Sequence, residues 1–512
     1  MLIKTSSVLN IGLETLEVEV EINVANKGLP TFEIVGLPSK AVEESKERVR
    51  TAITNSGIEF PSKKITVNLA PADVPKEGSF YDLPIAVGVL SAITQYQIPK
   101  NSLFFGELSL DGSLRHTRGA FLLALFAKEA GFKNIFVPKA SANEAAIFPE
   151  INVYPVERLS QVAAHLLGRR RIKKLEHGAE PSAPDFKAAE FDMAEVLGQE
   201  QAKRAVEIAA AGSHNIFMIG SPGSGKTMLA RAIPGILPPL DESESLEVTK
   251  IYSVTGNIPA GGSVIKIRPF RSPHHSSSQV GLIGGGSKPQ PGEISLAHRG
   301  VLFLDEFNEF PRQTLEALRQ PLEDGYVTVS RARGRVKYPA QFMLVASANP
   351  CPCGYFGHPV KACTCTSREI KNYRKRISGP LLDRIDLQIG VPSVDAEDLS
   401  QDKAASKFLE NSETVRSRVE KARLLQAERF RGENIHANSE MKNSHIKKHC
   451  RLSPEVEKIL SKGASSFQLS ARSYFKMIKV ARTIADLEGA PEIEVSHIAE
   501  ALQYRSRFSE EN

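Results

Sequence analysis

Apolar and polar positions alternate through LEVEVEIN, residues 16–23, the two-residue period of a strand with one buried face. KAVEESKERVRTAIT, residues 40–54, reads as a helix, and KKITVNL, residues 63–69, as another strand. Such mixing runs to residue 168. Periodicity then stops in GRRRIKKLEHGAEPSAPDFKAAE, residues 168–190, where a charged stretch gives way to Ala, Pro and Glu, the character of a linker. From 191 to 393 short apolar strands alternate with helical stretches, as in an α/β domain. Beyond Pro392 the chain reads as helical, rich in Lys, Arg, Glu and Ser. The pattern predicts an N-terminal domain over 1–168, a linker over 169–190, an α/β core over 191–393 and a helical domain over 394–512.

Composition narrows the class. At 512 residues, with 41% hydrophobic and 24% charged, the chain has material for several packed cores. Its longest apolar runs, such as Phe121–Ala127, fall far short of a membrane span. MLIKTSSVLN lacks the apolar core of a secretory signal, so the five cysteines are expected in a reducing, cytoplasmic setting. A net charge of +6 permits a nucleic-acid partner without demanding one, so the placement of charge has to decide.

The densest chemistry lies in NIFMIGSPGSGKTMLARAI. An apolar run, Asn215–Ile219, leads into Gly220, Ser221, Pro222, Gly223, Ser224, Gly225, Lys226 and Thr227, which match the phosphate-loop pattern G-x-x-x-x-G-K-T. Glycines let the backbone N–H groups curl around phosphates, Lys226 would neutralise the β and γ oxygens, and Thr227 would hold Mg2+. About eighty residues on, GVLFLDE carries Asp305 and Glu306 to the end of a strand that reads as buried on both faces. Asp305 would anchor the magnesium shell, and Glu306 would polarise the attacking water. The expected cofactors are ATP and Mg2+. A third apolar run, QFMLVASANP, ends at Asn349, whose amide would orient that water or touch the γ-phosphate, or else simply form the turn before Pro350.

Two further stretches carry charge or thiols. YVTVSRARGRVKYPA, residues 326–340, reads as a β-hairpin turning near Gly334, with Arg331, Arg333, Arg335 and Lys337 at or beside its tip. Cations there suit contact with a phosphate backbone, and an edge strand guarded by charge is the alternative. His274 and His275 sit in a Gly/Ser-rich loop and read as loop residues rather than metal ligands. CPCGYFGHPVKACTC places Cys351, Cys353, Cys363 and Cys365 as two C-x-C pairs nine residues apart. Four thiolates suit Zn2+ in number, although C-x-C is tighter than the usual knuckle spacing. A reduced loop and a disulfide remain the other readings, with His358 a weaker substitute ligand.

GSPGSGKT, GVLFLDE, ASAN and GPLLDRID, in this order and spacing, resemble an AAA+ ATPase of the magnesium-chelatase and replicative-helicase branch. The resemblance implies an α/β fold with a phosphate-loop core and a helical lid. It makes Asn349 sensor 1, Arg384 an arginine finger for the neighbouring subunit of a hexamer, and Arg472 in LSARSYFKMIKVARTIADLEG sensor 2, with Arg482 a weaker competitor. GELSLDGSLRHTRGAFLLALFAKEAGFKNIFVPKAS and VPKEGSFYDLPIAVGVL resemble an α+β Lon-type protease domain. Here the nucleophile motif reads Gly78-Ser79-Phe80-Tyr81-Asp82 and Phe121 stands at the lysine position, so catalysis is expected to be absent. The whole arrangement resembles the ComM/YifB-type family. That resemblance implies a DNA helicase acting on single-stranded and branched DNA, promoting branch migration in natural transformation. A chelatase-like remodeller of a protein partner and an ATP-dependent protease are the competing expectations.

Overall fold

The computed structural model describes residues 2–25, 27–176, 189–258, 262, 264–286, 289–331, 334–393 and 410–505, the side chain of Arg331 excepted. The chain divides into two compact units. One is Met1–Asp185 with Glu242–Lys266, and the other is Phe186–Asp241 with Ile267–Asn512.

The first unit is built on a seven-stranded sheet in the order Thr31–Val35, Lys64–Ala70, Glu14–Ala25, Leu2–Ile11, Ser102–Phe104, Asn134–Pro138, Asn152–Val156. Leu2–Ile11 and Glu14–Ala25 form an antiparallel hairpin, with Ile11 opposite Glu14 and Gly12 at φ +63° in the turn. From Val18 on, LEVEVEIN behaves as its alternation predicts: Val18, Val20 and Ile22 are buried beneath the apolar helix Asp82–Thr94 and the glutamates point outward, while Leu16 is exposed. A second apolar cluster gathers around Phe121, Leu123, Phe148 and Val153.

The C-terminal helices share one unit with the α/β core, and one segment of the expected core lies outside that unit. Glu242–Lys266 lies within the stretch assigned by sequence to the α/β core, yet it clusters with the N-terminal unit. The cause is packing. Leu246 and Val254 of the helix Glu242–Thr255 lie against the Phe121 cluster, and the Ser253 hydroxyl donates to the Glu144 carboxylate. The backbone N–H of Phe121 donates to the same oxygen.

Burial pushes the Glu144 carboxyl up to about 7, so the fold carries it protonated where an unfolded chain would ionise. Stability from this group is therefore complete below about 4.5 and lost as pH rises through about 7, a contribution of about 3 kcal/mol. Hydrogen exchange in the helix Glu242–Thr255 is expected to quicken between pH 5 and pH 8, once corrected for intrinsic exchange. In Glu144→Gln, which stays neutral, that dependence should vanish. If the variant keeps the wild-type profile, another group controls the helix.

The second unit holds a five-stranded parallel sheet, in the order Phe270–Arg271, Val301–Leu304, Met343–Ala348, Ile216–Ile219, Leu387–Gly390. The three central strands are buried along their whole length, which explains why they read as unbroken apolar runs rather than alternating ones. Helix Glu200–Gly212 presses Ala205, Ala209 and Ala210 into the core. Those small residues allow close approach, so helices Ser412–Arg429 and Ala471–Glu488 share one continuous cluster with the sheet through Val419, Ala422, Ile478 and Ile484. No helix among the described residues is long and apolar enough to cross a membrane.

Candidate active site

Parallel strands put their carboxyl ends on one edge, and the register does so here. Ile219 pairs with Ala348, and Leu304 with Ala346, so the phosphate loop, Asn349 and Asp305 all leave the sheet side by side. Asn215 fixes this alignment. Its Oδ1 accepts from the Leu344 N–H at 2.8 Å, and its own N–H donates to Asp386 Oδ2 at 2.9 Å.

Within the loop, Gly223 and Gly225 adopt φ of +79° and +90°, and a Cβ on either would meet nothing within 4 Å. Left-handed backbone, not crowding, is what demands glycine at these two positions. Lys226 is buried, with Nζ donating to the carbonyls of Gly220 at 2.7 Å and Ser221 at 2.9 Å. The same amine reaches Asn349 Oδ1 at 3.5 Å, so the lysine and the sensor candidate already touch. Burial pushes the Lys226 amine below its usual value, and Asp305 opposes that shift. Thr227 Oγ1 donates to Asp305 Oδ2 at 2.8 Å. Ser347 donates to the other Asp305 oxygen, and the Glu306 N–H reaches that same oxygen at 3.0 Å. A hydroxyl and a carboxylate in contact are the donor set that a hard divalent cation takes beside phosphate oxygens, so the residues fit Mg2+.

Glu306 stands at φ +51°, an uncommon backbone for a residue with a Cβ. Its Oε2 lies 3.1 Å from His275 Nδ1. His275 in turn packs against His274 at 4.0 Å between ring centroids. The sequence showed no link between this histidine pair and the acidic pair, because some thirty residues separate them.

Arg384 and Arg472 meet. Both guanidinium groups bind the Glu323 carboxylate, one on each oxygen, and hold it below the usual carboxylate range. Two neighbouring contacts dock the Asp383–Asp386 segment on the lid helix: Ser473 donates to Asp383 at 3.4 Å, and Lys476 pairs with Asp386 at 2.9 Å. Burial opposes the Asp386 charge, yet Lys476 and His214 hold its carboxyl far below the ordinary range. The Lys476 amine is itself pushed down to about 8 by burial. Arg482 has a different place. It is buried in the lid, with Nε bonded to Asp486 and its two terminal nitrogens to the carbonyls of Pro491 and Ala490.

The hairpin pairs Tyr326–Arg331 with Gly334–Pro339, so Gly334 opens the second strand at the tip of the hairpin. Arg335 and Lys337 are exposed on one face, while Val336 and Tyr338 are buried on the other. Lys337 Nζ lies 3.5 Å from the centroid of the Tyr326 ring. Arg331 is placed by its backbone, opposite Gly334, and Arg333 lies outside the described residues.

The four cysteines of residues 351–365 converge, with all four sulfurs within 4.8 Å of one another and all four thiols free. Backbone N–H groups of Tyr355 and Thr364 hold the Cys353 thiol down at about 5. His358 is engaged elsewhere: its Nδ1 accepts from the N–H groups of Val360 and Lys361, both at 3.0 Å.

In the first unit, the Ser79 hydroxyl donates to Glu107 rather than meeting an amine. Lys76 is fully buried and its amine donates to the Pro71 carbonyl, while Phe121 is core.

A parallel sheet carrying a phosphate loop, an acidic pair and a polar strand end at one edge, joined to a helical lid, defines an AAA+ phosphate-loop ATPase. Residues 192–399 match the family described as magnesium chelatase, subunit ChlI. Residues 18–141 and 409–505 match descriptions of the same subunit and of its C-terminal part. The chain is 43% identical over 501 residues to the protein named YifB of Salmonella typhimurium, covering 97% of this chain and 95% of that one. It is 41% identical over 500 residues to the competence protein ComM of Haemophilus influenzae, covering 97% and 96%. A magnesium-chelatase 38 kDa subunit of Cereibacter sphaeroides is 26% identical over 176 residues, or 31% of this chain and 53% of that one. The chain belongs to the ComM/YifB-type magnesium-chelatase-like family, whose AAA+ core implies ATPase activity with ATP and Mg2+.

Proposed function

We propose that this protein is an ATP-driven DNA helicase that works as a hexameric ring and promotes branch migration of recombination intermediates during natural transformation. The observation that carries the DNA reading is the hairpin. Arg335 and Lys337 present cations on its solvent face in the same unit as the phosphate loop, where a moving strand can be driven by nucleotide turnover. The relative named for competence supports the setting.

In this reading Lys226 and the loop backbone bind the phosphates, Thr227 and Asp305 hold Mg2+, Asn349 orients the attacking water, and Glu306 takes its proton. Arg384 completes the neighbouring subunit's site and Arg472 its own, so ring assembly with ATP would exchange Glu323 for phosphate as the partner of both arginines. Zn2+ on the four cysteines belongs to the same reading. The N-terminal unit serves as a scaffold for docking or DNA contact; proteolysis is disfavoured because its serine has a carboxylate rather than an amine beside it. The testing experiment is ATP-dependent movement of forked and three-stranded junctions, with ATP turnover rising on DNA and falling steeply with salt. Turnover indifferent to DNA at low salt, but raised by a protein partner, would favour the chelatase-like remodeller instead.

A further inference from the structure

We propose that Cys351, Cys353, Cys363 and Cys365 hold one zinc ion, and that this ion, acting through Gly354, braces the phosphate loop from below. The second half of the proposal rests on the nucleotide-binding reading of that loop.

The cage is argued from distances. Cys351 Sγ lies 3.3 Å from Cys353 Sγ and 3.7 Å from Cys363 Sγ, and Cys353 Sγ lies 3.5 Å from Cys363 Sγ. A tetrahedral zinc with sulfur at about 2.3 Å requires sulfurs about 3.8 Å apart, so little movement is needed to admit it. Backbone N–H groups already aim at the sulfurs. Phe356 donates to Cys351 Sγ and Cys353 to Cys365 Sγ, each at 3.3 Å. Such N–H donors partner a thiolate ligand and fix its orientation. Four sulfurs gathered this closely have only weak S–H···S contacts to hold them together. One divalent cation, displacing their protons to water, supplies that attraction. The tight C-x-C spacing is accommodated because Gly354 turns at φ +83°, with its N–H bonded to the Cys351 carbonyl at 3.0 Å.

That turn is where the cage meets the nucleotide site. A Cβ on Gly354 would stand 2.6 Å from Pro222 Cδ and 2.7 Å from Pro222 Cγ, and 3.9 Å from Asn349 Cγ. The bare backbone of the turn is therefore laid flat on the phosphate-loop proline, next to the sensor candidate. Cys351, buried completely, follows Asn349 by two residues. A metal that fixes the turn fixes the back of the loop and the start of the sensor segment together.

The test uses the untagged, full-length chain purified without chelator. Elemental analysis should find about one zinc per chain, released to a zinc-binding dye as a mercurial blocks the four thiols. Affinity for a fluorescent ATP analogue with Mg2+ should weaken about tenfold or more once zinc is gone, and return with added Zn2+. Because a stripped loop can disturb its surroundings, Gly354→Ala supplies a second reading. It keeps the four thiolates, and in its zinc-loaded fraction nucleotide affinity should fall, because the added Cβ meets Pro222. Absence of zinc, or iron in its place, overturns the cage. Full zinc with affinity unchanged in both the stripped protein and Gly354→Ala overturns the brace. A zinc-loaded chain that binds no nucleotide contradicts the phosphate-loop reading, and the brace with it, while the zinc count stands by itself.

Discussion

Glu306→Gln is expected to hold ATP while turning it over about 10²–10⁴-fold more slowly, the usual worth of a positioned general base. The argument is one of subtraction. Gln has the shape of Glu, so the left-handed backbone at this position and the neighbouring N–H to Asp305 at 3.0 Å need not change. Asp305, which faces Thr227, is untouched and still suits magnesium. An amide oxygen can also accept from His275, so the contact now made by Oε2 has a substitute. What the amide cannot do is take a proton from water at neutral pH. Phosphate release in the steady state gives the rate, and nucleotide retained through gel filtration gives the binding. Near-normal turnover would move the base to another residue.

Lys226→Ala should act one step earlier and weaken nucleotide binding roughly a hundredfold, the cost of losing charge-assisted hydrogen bonds to phosphate. Its amine is now folded back on the carbonyls of Gly220 and Ser221, buried, and pushed below its usual value by that burial. Incoming phosphates would give this charge a better partner than two neutral carbonyls. Without the amine the loop keeps its N–H groups but faces the β and γ charges with no cation of its own. Titration calorimetry with a non-hydrolysable ATP analogue and Mg2+ measures the loss. Unchanged affinity in Lys226→Ala would mean that the loop backbone alone supports binding. Together the two variants separate binding from chemistry, because one should weaken complex formation about a hundredfold and the other should trap the complex.

Much of the site was legible because its signals are local. A phosphate loop declares itself through eight consecutive residues, and a strand buried on both faces through an unbroken apolar run. The register then brings Lys226, Asp305 and Asn349 to one edge with no further information needed. Contacts between distant segments were not legible. Glu323, which gathers Arg384 and Arg472, is one acid among many in a helical stretch. Its role depends on two arginines 61 and 149 residues away. His275 escaped for the same reason, as did Lys476, whose significance comes from burial beside Asp386. The helix Glu242–Thr255 shows a sequence pattern that calls for a buried face, but the pattern does not name the surface that buries it. The fit of Leu246 and Val254 against the Phe121 cluster, with the Ser253 bond to Glu144, assigns it to the first unit. Burial also separates Arg472 from Arg482. Arg482 sits on the same helix with each of its three nitrogens bonded inside the lid.

The claim that joins site to function is that ATP turnover moves DNA strands, and one measurement meets it directly. Labelled three-stranded and forked junctions are incubated with the full-length protein, ATP and Mg2+, beside Glu306→Gln as a control, and the displaced strand is followed over time. Strand displacement that requires ATP, disappears in the Glu306→Gln protein and declines steeply as salt rises is the predicted result. A protein that hydrolyses ATP at full rate while every junction stays intact, at low as well as high salt, would contradict the account.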